Sequence, residues 1–184
     1  MSTLSRKTRT AYDKLALDYD EKYVDGVDNP YMNDEYVAAE IYKSQNLTGK
    51  IVSLGCGTGQ DVSILGYPDP NDFVGFDISK GMLSKAMIKH PDYVFIEHDC
   101  NEMTNVKADI LVSMFGTPNY IGIGKLWEHY KNIQAKHAFF VFYNQDYVDG
   151  VVEEYYRYSM AHLEEIFIGA NHYALNENYY VVTW

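Results

Sequence analysis

Cysteine, positive charge and long apolar runs are all scarce in this chain. Only two of its 184 residues are cysteine, Cys56 and Cys100. That is too few for a disulfide-stapled scaffold, and without histidines at matching spacing the pair makes no zinc site. No apolar run approaches the ~20 residues needed to cross a bilayer. Met1 to Thr10 is polar and basic, with no apolar core of a secretory signal, so a cytoplasmic protein away from membranes is expected. Lysine and arginine number 15 against 26 acids, a net charge of −11. Such a surface repels phosphate backbones, so nucleic acid is not an expected partner. The basic cluster Arg6, Lys7 and Arg9 reads as a solvated terminus. There is no fixed-period repeat and no low-complexity tract.

What is present suits one soluble globular domain. The apolar fraction is 47% and the charged fraction 22%, which argues against disorder, and 184 residues suffice for a full core. Tyrosine is abundant, at 18.

Ser5 to Tyr23 reads as a helix with Ala11, Leu15 and Tyr19 on one side, broken by Asp25 to Pro30. Asn33 is placed to cap a second helix, Asp34 to Ser44, with Val37, Ile41 and Tyr36 facing inward and Gly49 closing it. From residue 51 to about 167, strands and helices alternate. Strands are expected at Ile51 to Leu54, Phe73 to Asp77, Tyr93 to Glu97, Asp109 to Met114 and His137 to Tyr143. Helices are expected at Gln60 to Leu65, from the Ser79 cap to His90, at Gly124 to Ala135 and at Val151 to Phe167. Two further strands, His172 to Leu175 and Tyr179 to Thr183, flank the turn signal Asn176-Glu177-Asn178. This order predicts an α/β fold, a parallel sheet with right-handed crossovers and an antiparallel hairpin at one edge.

The chemistry concentrates where the first strand ends. Ile51-Val52-Ser53-Leu54 runs into Gly55-Cys56-Gly57-Thr58-Gly59-Gln60-Asp61. Alternating glycines let backbone turn sharply and approach a ligand closely. Asp77 ends the next strand about 20 residues on, the spacing of a nucleoside-binding α/β unit. A dinucleotide fingerprint would put its third small residue at position 60, which is Gln here; the third glycine is Gly59. Asp99-Cys100 ends the third strand and Met114-Phe115-Gly116 the fourth. Both cysteines lie in loops at strand ends, small and reduced.

This pattern resembles the class I, Rossmann-like, S-adenosylmethionine-dependent methyltransferases of the small-molecule type. The resemblance runs from Tyr12 to the terminal hairpin. It implies a doubly wound seven-stranded sheet of order 3-2-1-4-5-7-6, with residues 1–48 as an N-terminal helical lid and 49–184 as the core of a single domain. It implies S-adenosylmethionine as cofactor and S-adenosylhomocysteine as product. Gly55, Cys56, Gly57 and Gly59 would then cradle the methionine part and ribose, and Asp77 would grip both ribose hydroxyls. Ile78 would pack on the adenine, Asp99 and the backbone after it at Cys100 would read the adenine edge, and Met114 would lie near the sulfonium. Asp61 either complements its helix dipole or helps hold the methionine end. Tyr12-Asp13-Lys14-Leu15-Ala16-Leu17-Asp18-Tyr19-Asp20 resembles a segment whose aromatics fold over the cofactor. Tyr12 and Tyr19 are its candidates, with Tyr23 behind them.

Thr117-Pro118-Asn119-Tyr120 stands where amino-group DNA methyltransferases carry a [D/N]-P-P-[F/Y] motif. The leading Asp or Asn and the second proline are missing, which points to a small-molecule acceptor. No catalytic base is identifiable. His98 sits beside Asp99 but would point away from it, while Tyr120, Tyr143 and Asn144 stand at strand ends on the active edge. The rival readings are a binding module without turnover and an NAD(P)-dependent oxidoreductase. Aromatic residues in 151–167 leave a homodimer open.

Overall fold

The computed structural model describes residues 1–24, 30–102, 104–148 and 150–184. It is an α/β structure built on one seven-stranded sheet of order β3-β2-β1-β4-β5-β7-β6. In chain order come helices α1 (Thr3–Leu15), α2 (Tyr19–Tyr23) and α3 (Pro30–Ser44). Then follow β1 (Ile51–Leu54), α4 (Gln60–Ile64), β2 (Phe73–Asp77), α5 (Lys80–Lys89), β3 (Val94–Glu97) and β4 (Ile110–Ser113). The last part is α6 (Thr117–Ile121), α7 (Ile123–Ile133), β5 (His137–Tyr143), α8 (Met160–Ile166), β6 (Asn171–Ala174) and β7 (Tyr179–Thr183). Strands β1 to β5 pair in parallel, with Ile51 opposite both Phe73 and Ile110. Only β7 runs antiparallel, between β5 and β6.

The central strands are apolar throughout because both faces are covered. Alternation divides their side chains into two layers. Ile51, Ile110, Val112, Phe139, Val141 and Val181 belong to one core; Val52, Leu54, Leu111, Phe140, Phe142 and Val182 belong to the other. Reversal of strand order at β1 and β4 opens a crevice beyond their carboxyl ends, where ligands bind in such sheets. The expected sheet order therefore holds.

The N-terminal elements differ from expectation in their boundaries. The first helix stops at Leu15 and resumes at Tyr19. Ala16 is buried at that break, against α5: a Cβ on Gly81 would stand 2.8 Å from the Ala16 Cβ. The expected breaker at 25–29 lies outside the described residues. Helix α3 begins at Pro30, not after Asn33, since proline presets the first-turn φ and needs no amide there. Its buried stripe is Asp34, Ala38 and Tyr42, and Tyr36, expected inside, is 65% exposed.

The largest departure lies at 151–167, where only Met160–Ile166 is helical. Tertiary partners hold the preceding backbone extended. Tyr156 N donates to Asn119 O, Asn119 Nδ2 donates to Tyr156 O, and Tyr158 bridges Asn144. Tyr158 and Phe167 are buried, so residues 151–167 present no continuous aromatic helix face. Conversely, α6 is a helix that the sequence pattern does not predict; Pro118 stands in its first turn.

Candidate ligand-binding site at the carboxyl edge of the sheet

The crevice is a cavity enclosing about 1210 Å³ of empty space, part of it open to solvent. Its floor is the β1–α4 loop. Gly55 and Gly57 have φ of +77° and +53° and both line the cavity. A Cβ on Gly57 would meet only Gln60 Oε1, at 3.8 Å, so that backbone faces open space. Gly59 is different. It caps α4 in the left-handed region, it is not part of the lining, and a Cβ there would come 2.7 Å from His90. Its freedom serves close packing of the loop on α5.

Asp77 joins this loop to the next crossover. Its Oδ2 accepts from Gly57 N at 2.9 Å and its Oδ1 from Ser79 N at 2.8 Å. Ser79 in turn caps α5, accepting from Met82 N. A carboxylate holds about four acceptor positions, so Asp77 can receive more donors from the cavity. Ile78, beside it, also lines the space. Asp99, after β3, accepts from Asn101 N at 3.0 Å through Oδ1. Its Oδ2 is buried and has no hydrogen-bond partner. A buried acceptor without a donor is costly, and this one lines the cavity.

Cys56, Cys100 and Met114 line the same space. Cys56 is packed over Gly75, whose added Cβ would lie 2.8 Å from its Sγ. Burial pushes both thiols well above their ordinary range, so neither is a nucleophile. Phe115 and Gly116, next after Met114, both have positive φ, 49° and 88°. A positive φ at Phe is uncommon and strained, as found at ligand clamps.

Tyr12 and Tyr19 enter from α1 and α2. The acids that follow each of them are the anchors. Asp13 Oδ1 accepts from Ser79 Oγ at 2.6 Å and from Gly81 N at 3.1 Å. Asp20 Oδ1 accepts from Thr58 Oγ1 at 2.6 Å and pairs with Lys89 at 2.9 Å. Each Tyr-Asp pair therefore sends its ring into the cavity and its carboxylate onto the core. Sequence reasoning missed these anchors; the recurrence of Tyr-Asp after seven residues, two helical turns, was the available signal.

Other residues expected near the site fall on either side of its boundary. Tyr120 and Tyr143 line the cavity, with ring centroids 6.5 Å apart and edge to face. Asn144 does not; it ties the β6–β7 turn by donating to Glu177 O. Asn119, in the segment compared with the DNA-methyltransferase motif, is fully buried and locks β5, accepting from Tyr143 N at 2.8 Å. None of the histidines is among the described lining residues. His98 bonds Glu102 O, and His129 is buried on Cys100 O, where burial lowers its pKa and keeps it neutral. Glu35, Tyr147 and Tyr179 also line the cavity and had no sequence signal.

The site is acidic, and its carboxylates are largely buried. Burial raises Asp61 to about 7, opposed by its hydrogen bond from Ser53 Oγ. Burial raises Asp77 to about 6 and Glu35 to about 7, each opposed by its hydrogen bonds. In the unfolded chain these acids titrate near 4. Between there and pH 7 the folded protein holds more protons than the unfolded one, so stability falls as pH rises. The ligand-free protein is expected to melt several degrees higher at pH 5 than at pH 8. Calorimetric scans at the two values check this, and an equal or lower melting point at pH 5 would contradict the buried-acid account.

No protein-family model matches the chain, and no curated protein matches it in sequence. Solved structures match it throughout its length. The complex of DhpI with SAH aligns over 98% of this chain and 95% of its own, with a TM-score of 0.76 at 19% identity. Magnesium protoporphyrin IX methyltransferase (ChlM) from Synechocystis PCC 6803, with bound SAM, aligns over 100% and 97%, with a TM-score of 0.73 at 14% identity. The CcbJ methyltransferase from Streptomyces caelestis aligns over 95% and 96%, with a TM-score of 0.66 at 16% identity. The chain has the fold of these proteins.

Proposed function

We propose that this chain is an S-adenosylmethionine-dependent methyltransferase acting on a small molecule, in the cytoplasm. The observation that carries the reading is the pair of carboxylates at the carboxyl ends of β2 and β3, Asp77 closing β2 and Asp99 just after β3. Asp77, with acceptor positions to spare, suits two adjacent ribose hydroxyls. The unpartnered Asp99 Oδ2 suits an exocyclic amine. Gly57 leaves backbone bare beside them, and Gly55 lines the same space, where the methionine part of the cofactor fits. Ile78 and Met114 supply the apolar surface for adenine and thioether. The likeness to structures solved with bound SAM or SAH supports this reading.

The bound cofactor supplies an electrophilic methyl group on a positively charged sulfur, and its departure as a neutral thioether needs no acid. The protein's own task is to align and to exclude water. Tyr12 and Tyr19, anchored through Asp13 and Asp20, form a lid over the adenosyl end. The buried acids and the tyrosine rings around the cavity favour a cationic donor over a neutral one.

A calorimetric titration tests the assignment. S-adenosylhomocysteine should bind at one site per chain and NADH should not. Binding of NADH alone would turn the assignment to an oxidoreductase.

A further inference from the structure

Beyond the adenosyl end, the cavity is walled by tyrosines. Tyr143 is central: its ring stacks on Tyr147 at 4.0 Å and stands 5.9 Å from Tyr179 and 6.5 Å from Tyr120. It lies over Gly116, where a Cβ would come within 2.1 Å of its ring. Phe115, at the strained end of β4, meets Tyr179 edge to face at 5.3 Å. On the lid side, Tyr19 meets Tyr23 at 5.0 Å with the rings tilted by 43°, and Glu35 lies near enough to act on it.

The charge of this space is one-sided. No lysine, arginine or histidine is among the described lining residues, and none of residues 25–29, 103 and 149 is basic. Lys89, whose charge reaches Glu35, is outside the lining and bonded to Asp20 and Thr58. Among the lining acids, Asp77 and Asp99 belong to the adenosyl end. Asp61 holds the Ser53 hydroxyl and Asp34 the Asn176 amide. Glu35 receives one hydrogen bond, from Gln60 Nε2 at 3.0 Å. An anionic acceptor would find no counter-charge from the described lining residues, and would face carboxylates and the negative faces of rings. A cation would find both attractive.

We infer that the methyl acceptor is a small amine, its ammonium drawn into the tyrosine-walled half of the cavity and its nitrogen freed by transfer of a proton to the Glu35 carboxylate. This rests on the methyltransferase reading above. The ammonium N–H bond breaks and its proton goes to Glu35. The nitrogen lone pair then forms the N–C bond to the methyl carbon as the C–S bond breaks, its electron pair passing to sulfur. The products are the N-methylammonium and S-adenosylhomocysteine, and Glu35 returns its proton to solvent. A carboxyl titrating near neutrality suits this exchange, and burial holds Glu35 at about 7.

The test uses the full chain, methyl-labelled S-adenosylmethionine and a protein-free extract of small metabolites. The label should appear in products retained by a cation exchanger at pH 7. Label in anionic or neutral products, or no transfer at all, overturns the inference. Titration with S-adenosylhomocysteine, run in parallel, separates this from failure of the methyltransferase reading: that compound binds whenever the cofactor site is real. Glu35→Gln keeps the contact with Gln60 and removes the charge. It should raise KM for the acceptor amine so identified at least about tenfold while affinity for S-adenosylhomocysteine stays within about threefold. An equal loss of affinity for both places Glu35 on the cofactor, and the proton-accepting role falls.

Discussion

Replacing Asp77 by Ala is expected to weaken S-adenosylhomocysteine binding by about a hundredfold. Hydrogen bonds to a charged group are worth about 1.5–3 kcal/mol each, and two ribose hydroxyls facing one carboxylate make about 3 kcal/mol a fair lower sum. The same carboxylate holds Gly57 N and Ser79 N, so the loop loses an internal tie as well. Asp77→Asn separates the two effects, since it leaves one acceptor oxygen for the backbone and removes the charge. It should fold, with far-ultraviolet circular dichroism like that of the parent, and still bind the ligand at least about tenfold more weakly. If Asp77→Asn binds as the parent does, the carboxylate does not serve the ribose.

The second large effect is expected at Gly55. Its φ of +77° costs any residue with a Cβ about 1–2 kcal/mol. There is also no room, because the added carbon would lie 2.2 Å from both Cγ2 and Oγ1 of Thr117. Thr117 is β-branched and starts α6, so it cannot swing aside cheaply. Gly55→Ala should therefore lower stability by about 2–4 kcal/mol, read in denaturant titrations, and abolish measurable cofactor binding. Thr117→Gly, added to Gly55→Ala, removes the clash but not the backbone strain. The double variant should recover part of the stability, and no recovery would show that crowding at Thr117 is not the cause.

Those residues were legible in different degrees. Gly55, Gly57, Asp77 and Asp99 stand out because a strand must end before a loop can reach a ligand, and the strand ends are visible as apolar runs closing on glycine or acid. Gly59 belongs to the same motif, yet the fold uses it to bring the loop against His90 and Ala86. Glu35, Tyr147 and Tyr179 left no trace in the sequence. They come from a helix, a loop and the antiparallel strand β7, far apart in the chain, and nothing local marks which of 18 tyrosines face a cavity. The failed helix at 151–159 has the same origin. Its Val and Tyr side chains are poor helix formers, and Asn119, Ile123 and Asn144 take up its polar groups in extended form.

What the amino-acid order decided by itself is the alternation of strand and helix, the layer each core side chain joins, and the glycine–acid spacing at the first crossover. These are local, because periodicity and backbone freedom act over a few residues. The acidic, tyrosine-walled chamber beyond β4 and β5 was decided by the tertiary structure alone. Its residues meet only when the strands and helices pack together, and burial then sets both their charge and their reach.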